Sequence, residues 1–153
     1  MDSHIVFLGL GTNLGDREAN LKAAVEEINK RVGEVTSLSA FYVTEPWGFE
    51  STHSFLNAVC RVDTILTPHE VLAVTQDIER MIGRTKKSIN GCYSDRPIDI
   101  DILIYDDCRL NTPNLTIPHP LMHKRDFVMK PLEEIAPELV KRILADHSLL
   151  SER

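Results

Sequence analysis

The stretch "SDRPIDIDILIYDD", from Ser94 to Asp107, is the part of the sequence that decides the fold. Its isoleucines recur at every second position, the period of a β-strand. We expect them to share one face: Ile98, Ile100, Ile102 and Ile104. The opposite face then carries Asp99, Asp101, Leu103 and Tyr105. Because Asp is depleted in strands and costly to bury unpaired, two carboxylates on one face of this apolar strand need an explanation.

The two carboxylates predict a cation site. Their Cα atoms lie roughly 6.6 Å apart on an extended strand, and like charges this close repel unless a cation lies between them. Mg²⁺ favours one or two carboxylates together with phosphate oxygens, and two-metal sites serve phosphoryl chemistry. The alternative is an exposed strand face with two solvated acids.

Basic residues concentrate in two segments of an otherwise acidic chain. Residues 84–96, "RTKKSINGCYSDR", hold four basic residues and one acid, and residues 119–125, "HPLMHKR", add two basic residues and two histidines. The formal net charge of −6 nevertheless argues against broad nucleic-acid binding. Cations beside paired acids suit a nucleoside triphosphate with its metal ions, whereas a charge run is ordinarily a solvated loop.

Length and composition indicate one domain, residues 1–153, of which 42% are hydrophobic and 26% charged. No apolar run approaches the ~20 residues of a membrane span. The run "IVFLGLG" has no basic leader, so we expect no signal peptide. Three scattered cysteines form no CxxC pair, which predicts neither a zinc site nor a disulfide framework and favours a cytoplasmic location.

The predicted elements follow the order βαββαβ with a C-terminal tail. Periodicity and turn residues place strands at 4–10, 34–43, 55–63 and the Asp-bearing stretch, long helices at 16–31 and 67–82, loops at 44–54 and 84–96, and short helices near 128–136 and 137–146. This order predicts a ferredoxin-like α+β fold, an antiparallel sheet with helices packed on one face.

Both long helices carry boundary signals. Asp16 is a predicted N-cap, and Gly33 is a predicted helix stop. Thr67 and Glu70 form a predicted capping box around Pro68. The apolar stripes expected to face the core are Leu21, Val25, Ile28 and Val32 in the first helix, and Val71, Val74, Ile78 and Met81 in the second.

Further candidate site residues lie outside the Asp-bearing strand. His119 stands between Pro118 and Pro120, on a stiff backbone that favours a positioned side chain. Phe55 and Asn57 share a predicted strand face, where an aromatic ring and an amide suit a flat heterocycle with donor and acceptor edges. The alternative is a core Phe beside a turn Asn. "GLGTNLG" lacks the spacing of a dinucleotide fingerprint and is interpreted as a turn.

The segments "GTNLGD", "FYVTEPWGF", "FLNAV", "IERMIGR", "DRPIDIDIL" and "LTIPHPLMHKRDFVMKPLEEIAPEL" occur in this order between about residue 5 and residue 140. Together they resemble the 6-hydroxymethyl-7,8-dihydropterin pyrophosphokinases of folate biosynthesis. The resemblance implies a ferredoxin-like fold and transfer of pyrophosphate from ATP to the pterin hydroxymethyl oxygen, with release of AMP. It implies small-molecule substrates and no nucleic-acid or membrane partner, and we expect a monomer.

The resemblance also implies site residues. Asp99 and Asp101 would hold two Mg²⁺ ions that bridge the ATP phosphates, and with Arg84 and Arg96 they form the implied catalytic set. The residues implied for ATP are Gln76, Glu79, Arg84, Lys86, Arg96, Ile102, Leu115, Thr116, His119 and Arg125. Those implied for the pterin are Thr44, Glu45, Pro46, Trp47, Phe55, Asn57, Tyr93 and Phe127, with the two Phe rings on either side of it.

The chain departs from the family pattern at several positions. Glu45 stands where many members have Pro, and Phe55 where some have Tyr. Lys86 stands where a second Arg is common, and Tyr93 and Asp95 replace Trp and Pro. Two other functions stay open at this point: a nucleotidyltransferase, which attacks the α-phosphorus and releases pyrophosphate, and a non-catalytic ferredoxin-like binding module.

Overall fold

The strands and helices follow the predicted order. The computed structural model describes residues 3–44, 54–84, 97–120 and 122–145, without the side chain of Arg84. Within these residues the strands are β1 (His4–Thr12), β2 (Gly33–Leu38), β3 (Tyr42–Thr44), β4 (Phe55–Thr64), β5 (Asp99–Tyr105), β6 (Leu110–Thr112) and β7 (Leu115–Ile117). The helices are α1 (Arg17–Arg31), α2 (Pro68–Arg84), α3 (Asp126–Ile135) and α4 (Pro137–Ala145). None of these described helices is long and apolar enough to cross a membrane.

The main sheet is antiparallel and has β1 at its centre. Its strand order is β2–β4–β1–β5, and β3 pairs with the start of β4. Strand β4 pairs with β1 from His4 opposite Thr64 to Thr12 opposite Leu56. Strand β5 pairs with the other edge of β1. This is the sheet predicted for a ferredoxin-like fold.

The two sides of the main sheet are covered differently. Helices α1 and α2 pack on one side, the covered face, where Leu8, Leu21 and Ile100 belong to one buried cluster. Helices α3 and α4 pack on part of the other side, against Phe7 and Val59. The remainder of that side is called the site face here, and its residues are Gly9, Gly11, Phe55, Asn57, Asp99 and Asp101.

The helix starts form as their sequences predict. The Asp16 carboxylate accepts a hydrogen bond from the Ala19 backbone N–H at 3.1 Å. In the second helix, Thr67 N donates to Glu70 Oε1 at 2.8 Å, and Glu70 N donates to Thr67 Oγ1 at 3.3 Å. The C-cap of α1 directly precedes Gly33, so the helix stops where predicted, and Gly33 also begins β2. A Cβ atom there would lie 2.0 Å from the carbonyl oxygen of Asp63, so glycine allows a close approach of two strands.

A β-bulge inverts the predicted alternation of the Asp-bearing strand. Phe7 pairs with Ile104 and Leu8 with Ile102, so Leu103 is an extra residue on β5. An extra residue moves everything beyond it to the opposite face. Ile104 therefore packs with Leu103 against the C-terminal helices, and Tyr105 joins the covered face. The prediction was wrong for Ile104 and Tyr105 and holds for the residues before the bulge.

Three other elements differ from the sequence expectation. The single strand expected at 34–43 is divided into β2 and β3, since Ser39 turns its side chain to accept a hydrogen bond from Val59 N at 3.0 Å. The region after β5 contains the hairpin β6–β7, which was expected to be irregular. Helix α3 begins at Asp126, two residues before the expected start.

The cysteines that are described form no disulfide. Cys60 and Cys108 are both free. Cys60 is fully buried on the covered face, and this burial raises the pKa of its thiol to about 12. The thiol is therefore protonated at neutral pH and serves as a small core residue.

Candidate active site

Strand β5 presents both Asp side chains on the site face. Asp99 is half-buried and Asp101 is exposed, while Ile100 between them is buried on the covered face. Across the sheet, Asp99 stands opposite Gly11 and Asp101 opposite Gly9. Because glycine has no side chain, nothing on β1 covers the two carboxylates. The arrangement leaves room for a cation and an anionic ligand above the sheet.

A second group of predicted residues lies two strands away, on β3 and β4. Asn57 stands opposite Gly11 on the other edge of β1, and Phe55, two residues earlier on β4, lies on the same face. The Asn57 side chain is only 3% exposed, and its Nδ2 donates to Thr44 Oγ1 at 2.8 Å. One cross-strand row therefore runs from Asp99 over Gly11 to Asn57.

Helix α3 brings an aromatic ring and a cation to the same side of the sheet. Arg125 is the residue before the helix, and its Cζ atom lies 5.6 Å from the centre of the Phe127 ring. Phe127 is 36% exposed, so its ring is accessible to a ligand. Val128 and Leu132 anchor the helix in the cluster that contains Val59.

His119 lies beside the Asp-bearing strand. Its backbone N–H donates to the carbonyl oxygen of Leu103, the bulge residue, at 2.9 Å. Burial lowers the pKa of His119, Asp101 raises it, and Arg125 lowers it, with a net decrease. The imidazole is therefore neutral at neutral pH and able to donate one N–H. Asp101, His119 and Arg125 form one electrostatic cluster.

The residues implied for adenosine divide into two groups. Glu79 is half-buried and accepts a hydrogen bond from Ile100 N at 2.7 Å, and Gln76 is exposed one helical turn earlier. Thr116 is half-buried on β7. Ile102 and Leu115 are 5% and 8% exposed and belong to the covered-face core. Their side chains are not available to a ligand, which leaves only their backbone groups.

Some predicted residues lie outside the part of the chain that the structure describes. These are Glu45, Pro46, Trp47, Lys86, Tyr93 and Arg96, together with the side chain of Arg84. The predicted loops at 44–54 and 84–96 fall mostly in the same ranges. Among residues 3–44, 54–84, 97–120 and 122–145, no group of three or more His, Cys, Asp or Glu side chains is arranged to hold a metal ion.

The structure adds residues that the sequence did not indicate. Gly11 was assigned to a turn but lies within β1, between Asp99 and Asn57. Glycine at alternate positions of an apolar strand, as in "GLG", is a usable signal of a close approach. Glu134 accepts hydrogen bonds from Ala40 N and from the Tyr42 hydroxyl, at 3.1 and 2.7 Å, and ties α3 to β3. The sequence carries no local signal for that contact.

A cavity of about 390 Å³ lies away from the paired carboxylates. It is beside the start of α1 and is lined by Gly15, Asp16, Arg17, Glu18, Phe41 and Leu56. Phe41 and Leu56 pack against the covered-face cluster, so this cavity opens on the side of the sheet opposite Asn57. The chemistry of the paired carboxylates belongs to the site face, on the other side of the sheet.

Comparison with known proteins identifies the family of the chain. Residues 7–137 match the family model described as 7,8-dihydro-6-hydroxymethylpterin-pyrophosphokinase. The chain is 54% identical over 136 residues to a Porphyromonas gingivalis 2-amino-4-hydroxy-6-hydroxymethyldihydropteridine pyrophosphokinase, covering 88% of this chain and 92% of that protein. It is 39% identical over 140 residues to the Bacillus subtilis protein of the same name, covering 91% and 82%.

Solved structures support the fold. A Plasmodium falciparum HPPK-DHPS chain superimposes with a TM-score of 0.72 at 17% identity, covering 90% of this chain and 40% of that longer chain. The predicted ferredoxin-like α+β fold is confirmed. The enzyme interpretation is confirmed as well, since the matched family and relatives are pyrophosphokinases and give no support to the nucleotidyltransferase or the binding module. The chain belongs to the 7,8-dihydro-6-hydroxymethylpterin-pyrophosphokinase family.

Proposed function

We propose that this chain transfers pyrophosphate from ATP to the hydroxymethyl oxygen of 6-hydroxymethyl-7,8-dihydropterin and releases AMP, in folate biosynthesis. The observation that carries the proposal is the row across the site face, with Asp99 at one end, Gly11 in the middle and Asn57 at the other. A phosphate-binding end and a heterocycle-binding end are thereby joined on one surface. Membership of a pterin pyrophosphokinase family supports one end for ATP and the other for a pterin.

The donor set fits Mg²⁺. Asp99 and Asp101 supply two carboxylates from one strand face, and the facing glycines leave space beside them. Two carboxylates without a third protein ligand suit an ion that completes its shell with phosphate oxygens and water. We therefore propose that these two residues hold two Mg²⁺ ions together with ATP. Bound there, the ions would neutralise charge on the phosphate oxygens.

We assign the phosphates to the cations near β5. Arg125, before the start of α3, supplies the positive charge, and His119 is not a cation there but donates a hydrogen bond as a neutral imidazole. Arg84, Lys86 and Arg96 join them by the family pattern. Gln76, Glu79 and Thr116 are assigned to adenosine. Ile102 and Leu115 contribute there only through backbone groups, because their side chains are in the core.

We assign the pterin to the other end of the row. Phe55 and Phe127 lie on the same side of the sheet and are suited to stack on the two faces of a flat ring. Asn57 has one amide N–H held by Thr44, which leaves its Oδ1 to accept from the pterin edge. Pro46 and Trp47 complete this set by the family pattern, together with Glu45 and Tyr93, which replace the usual residues at their positions.

The transfer itself needs positioning and charge neutralisation. The hydroxymethyl oxygen attacks the β-phosphorus in line and forms a new P–O bond. The bond between the β-phosphorus and the oxygen bridging to the α-phosphate breaks, its electron pair leaves with AMP, and the proton of the attacking hydroxyl is released to solvent. The residues around Arg125 and His119 hold the phosphates in place, and the residues around Asn57 hold the acceptor.

We propose a monomer acting in the cytoplasm on small molecules, with no nucleic-acid or membrane partner.

Product analysis tests the proposal. The purified chain is incubated with ATP, Mg²⁺ and the reduced pterin, and nucleotides are separated by chromatography. We expect AMP to appear in equal amount to the pterin diphosphate, and neither product to form in Asp101→Asn. Release of free pyrophosphate with a nucleotide-linked pterin would identify a nucleotidyltransferase instead.

A further inference from the structure

Gly11 lies at the centre of the candidate site, although its backbone does not require glycine. It stands opposite Asp99 on β5 and opposite Asn57 on β4. Among the glycines of the described residues only Gly15 has a positive φ angle. An alanine therefore suits the extended backbone at residue 11. The reason for glycine at this position must lie in the space beside it.

The amide of Asn57 occupies that space. A Cβ atom at Gly11 would lie 3.0 Å from Asn57 Oδ1 and 4.0 Å from Cδ1 of Phe55. The closer contact requires the Asn57 oxygen to shift, because real Cβ contacts are seldom so short. Asn57 has little freedom to shift, since it is 3% exposed and its Nδ2 is held by Thr44 at 2.8 Å.

We propose that Gly11 is a positioning residue for the pterin: its missing side chain lets the acceptor oxygen of Asn57 lie over β1, between Phe55 and Asp99. The inference rests on the proposed function, in which that oxygen accepts a hydrogen bond from the pterin edge. A methyl group at residue 11 moves the oxygen and weakens this hydrogen bond. Helix α2 and the cluster around His119 are not in contact with that methyl position.

Gly9 provides a matched control. It lies on the same strand and the same face, two residues from Gly11, and stands opposite Asp101. A Cβ atom at Gly9 would lie 3.4 Å from Cδ2 of Leu103, which is an ordinary van der Waals contact. Gly9→Ala therefore adds the same methyl group to the same strand without touching Asn57.

A double-mutant cycle tests the inference. Pterin affinity is measured by titration calorimetry in the presence of Mg²⁺ and a non-hydrolysable ATP analogue, for the wild type, Gly9→Ala, Gly11→Ala, Asn57→Ala and the Gly11→Ala/Asn57→Ala double variant. We expect Gly11→Ala to weaken pterin binding about tenfold, the size of one lost hydrogen bond. At saturating analogue, Gly9→Ala should change pterin affinity less than about twofold, and neither substitution should change the thermal midpoint. In the Asn57→Ala background, Gly11→Ala should cost less than about twofold, because the group it displaces is gone.

Each other outcome overturns the inference. If Gly11→Ala binds the pterin as tightly as the wild type, Gly11 does not position Asn57 for the pterin. A tenfold loss that persists in the Asn57→Ala background shows that residue 11 does not act through Asn57. Loss of folding in Gly11→Ala while Gly9→Ala folds assigns the glycine to the fold alone. If the wild type binds ATP analogue but no pterin, the proposed function fails, and this inference fails with it.

Discussion

The two faces of the main sheet use the same strands for different purposes. On β5, Ile100 and Ile102 point to the covered face and are each 5% exposed, whereas Asp101 between them points to the site face and is exposed. On β1, Leu8 and Leu10 point to the covered face, and the two glycines point to the site face. Alternation at a period of two lets one strand contribute to both.

This difference indicates that stability and function are largely separable in this molecule. An antiparallel sheet is held by one well-packed face and tolerates polar side chains on the other. The covered face buries large apolar side chains against α1 and α2. The site face keeps carboxylates, an amide and glycines where an ordinary core would place apolar residues. Substitutions on the two faces should therefore fail in different ways.

The largest expected effect concerns the carboxylates of the site face. Asp99→Asn or Asp101→Asn should lower turnover by at least about a hundredfold, because the charge that holds the cation is lost while the shape is kept. The fold should persist, as judged by circular dichroism and the thermal midpoint. Asp107→Asn, an exposed turn residue on the same segment, is the control and should keep wild-type turnover. A near-normal turnover rate in a folded Asp99→Asn or Asp101→Asn variant would contradict the proposed cation site.

The next effect concerns the covered face. Leu21 of α1 is 0% exposed and packs in the covered-face cluster, so Leu21→Ala should lower the free energy of unfolding by about 2–5 kcal/mol. Urea denaturation measures this change, and turnover per folded molecule should stay within about twofold. Leu144→Ala, at a side chain that is 54% exposed, should change stability by less than about 0.5 kcal/mol. If Leu21→Ala removed activity from the folded protein, the two faces would not be separable.

The sequence predicts the covered face better than the site face. The isoleucine alternation up to Ile102 and the caps at Asp16 and Thr67 are local patterns, and local physics is sufficient for them. The alternation of apolar residues in the sequence does not reveal the bulge at Leu103, because the bulge depends on how β5 aligns with β1. The strands of the hairpin β6–β7 are only three residues long, and the Pro113–Asn114 turn pair between them is the one local signal of it.

The site face depends on contacts between distant parts of the chain. Asp99 and Asn57 are 42 positions apart in sequence, and only the register through Gly11 shows that they share a row. The His119 backbone N–H donates to the carbonyl oxygen of Leu103, and this hydrogen bond holds His119 beside the strand that carries Asp101. No spacing in the sequence predicts that contact. The family resemblance supplied these residues as a set, without the arrangement that connects them.

A smaller effect is expected at the cation of α3. Arg125→Ala should lower turnover about tenfold, the size of one charge-assisted phosphate contact. The Michaelis constant for ATP should rise. Arg142→Ala is the control, because it removes the same type of side chain from an exposed position of α4. It should leave both quantities unchanged. An unchanged rate in Arg125→Ala would place this guanidinium outside the phosphate site.

The smallest effect concerns communication between the two ends of the site face. In the structure, the Arg125 guanidinium lies 5.6 Å from the centre of the Phe127 ring. We expect bound ATP to draw this cation toward the phosphates and so to free a ring face for the pterin. A cation–π contact at a partly exposed site is worth about 0.5–1 kcal/mol. Nucleotide should therefore tighten pterin binding about two- to fivefold, and by linkage the pterin should tighten nucleotide binding by the same factor.

Calorimetry with and without Mg²⁺ and a non-hydrolysable ATP analogue measures the pterin affinity in both states. The coupling should vanish in Arg125→Ala, which has no cation to move, and persist in Arg142→Ala. Trp47 is the single tryptophan of the chain, so its fluorescence gives a second signal that needs no label. The pterin absorbs near the Trp emission band, which is why calorimetry decides the result. Equal pterin affinity with and without the analogue would show that the phosphate end and the pterin end of the site face act independently, even where the enzyme activity is established.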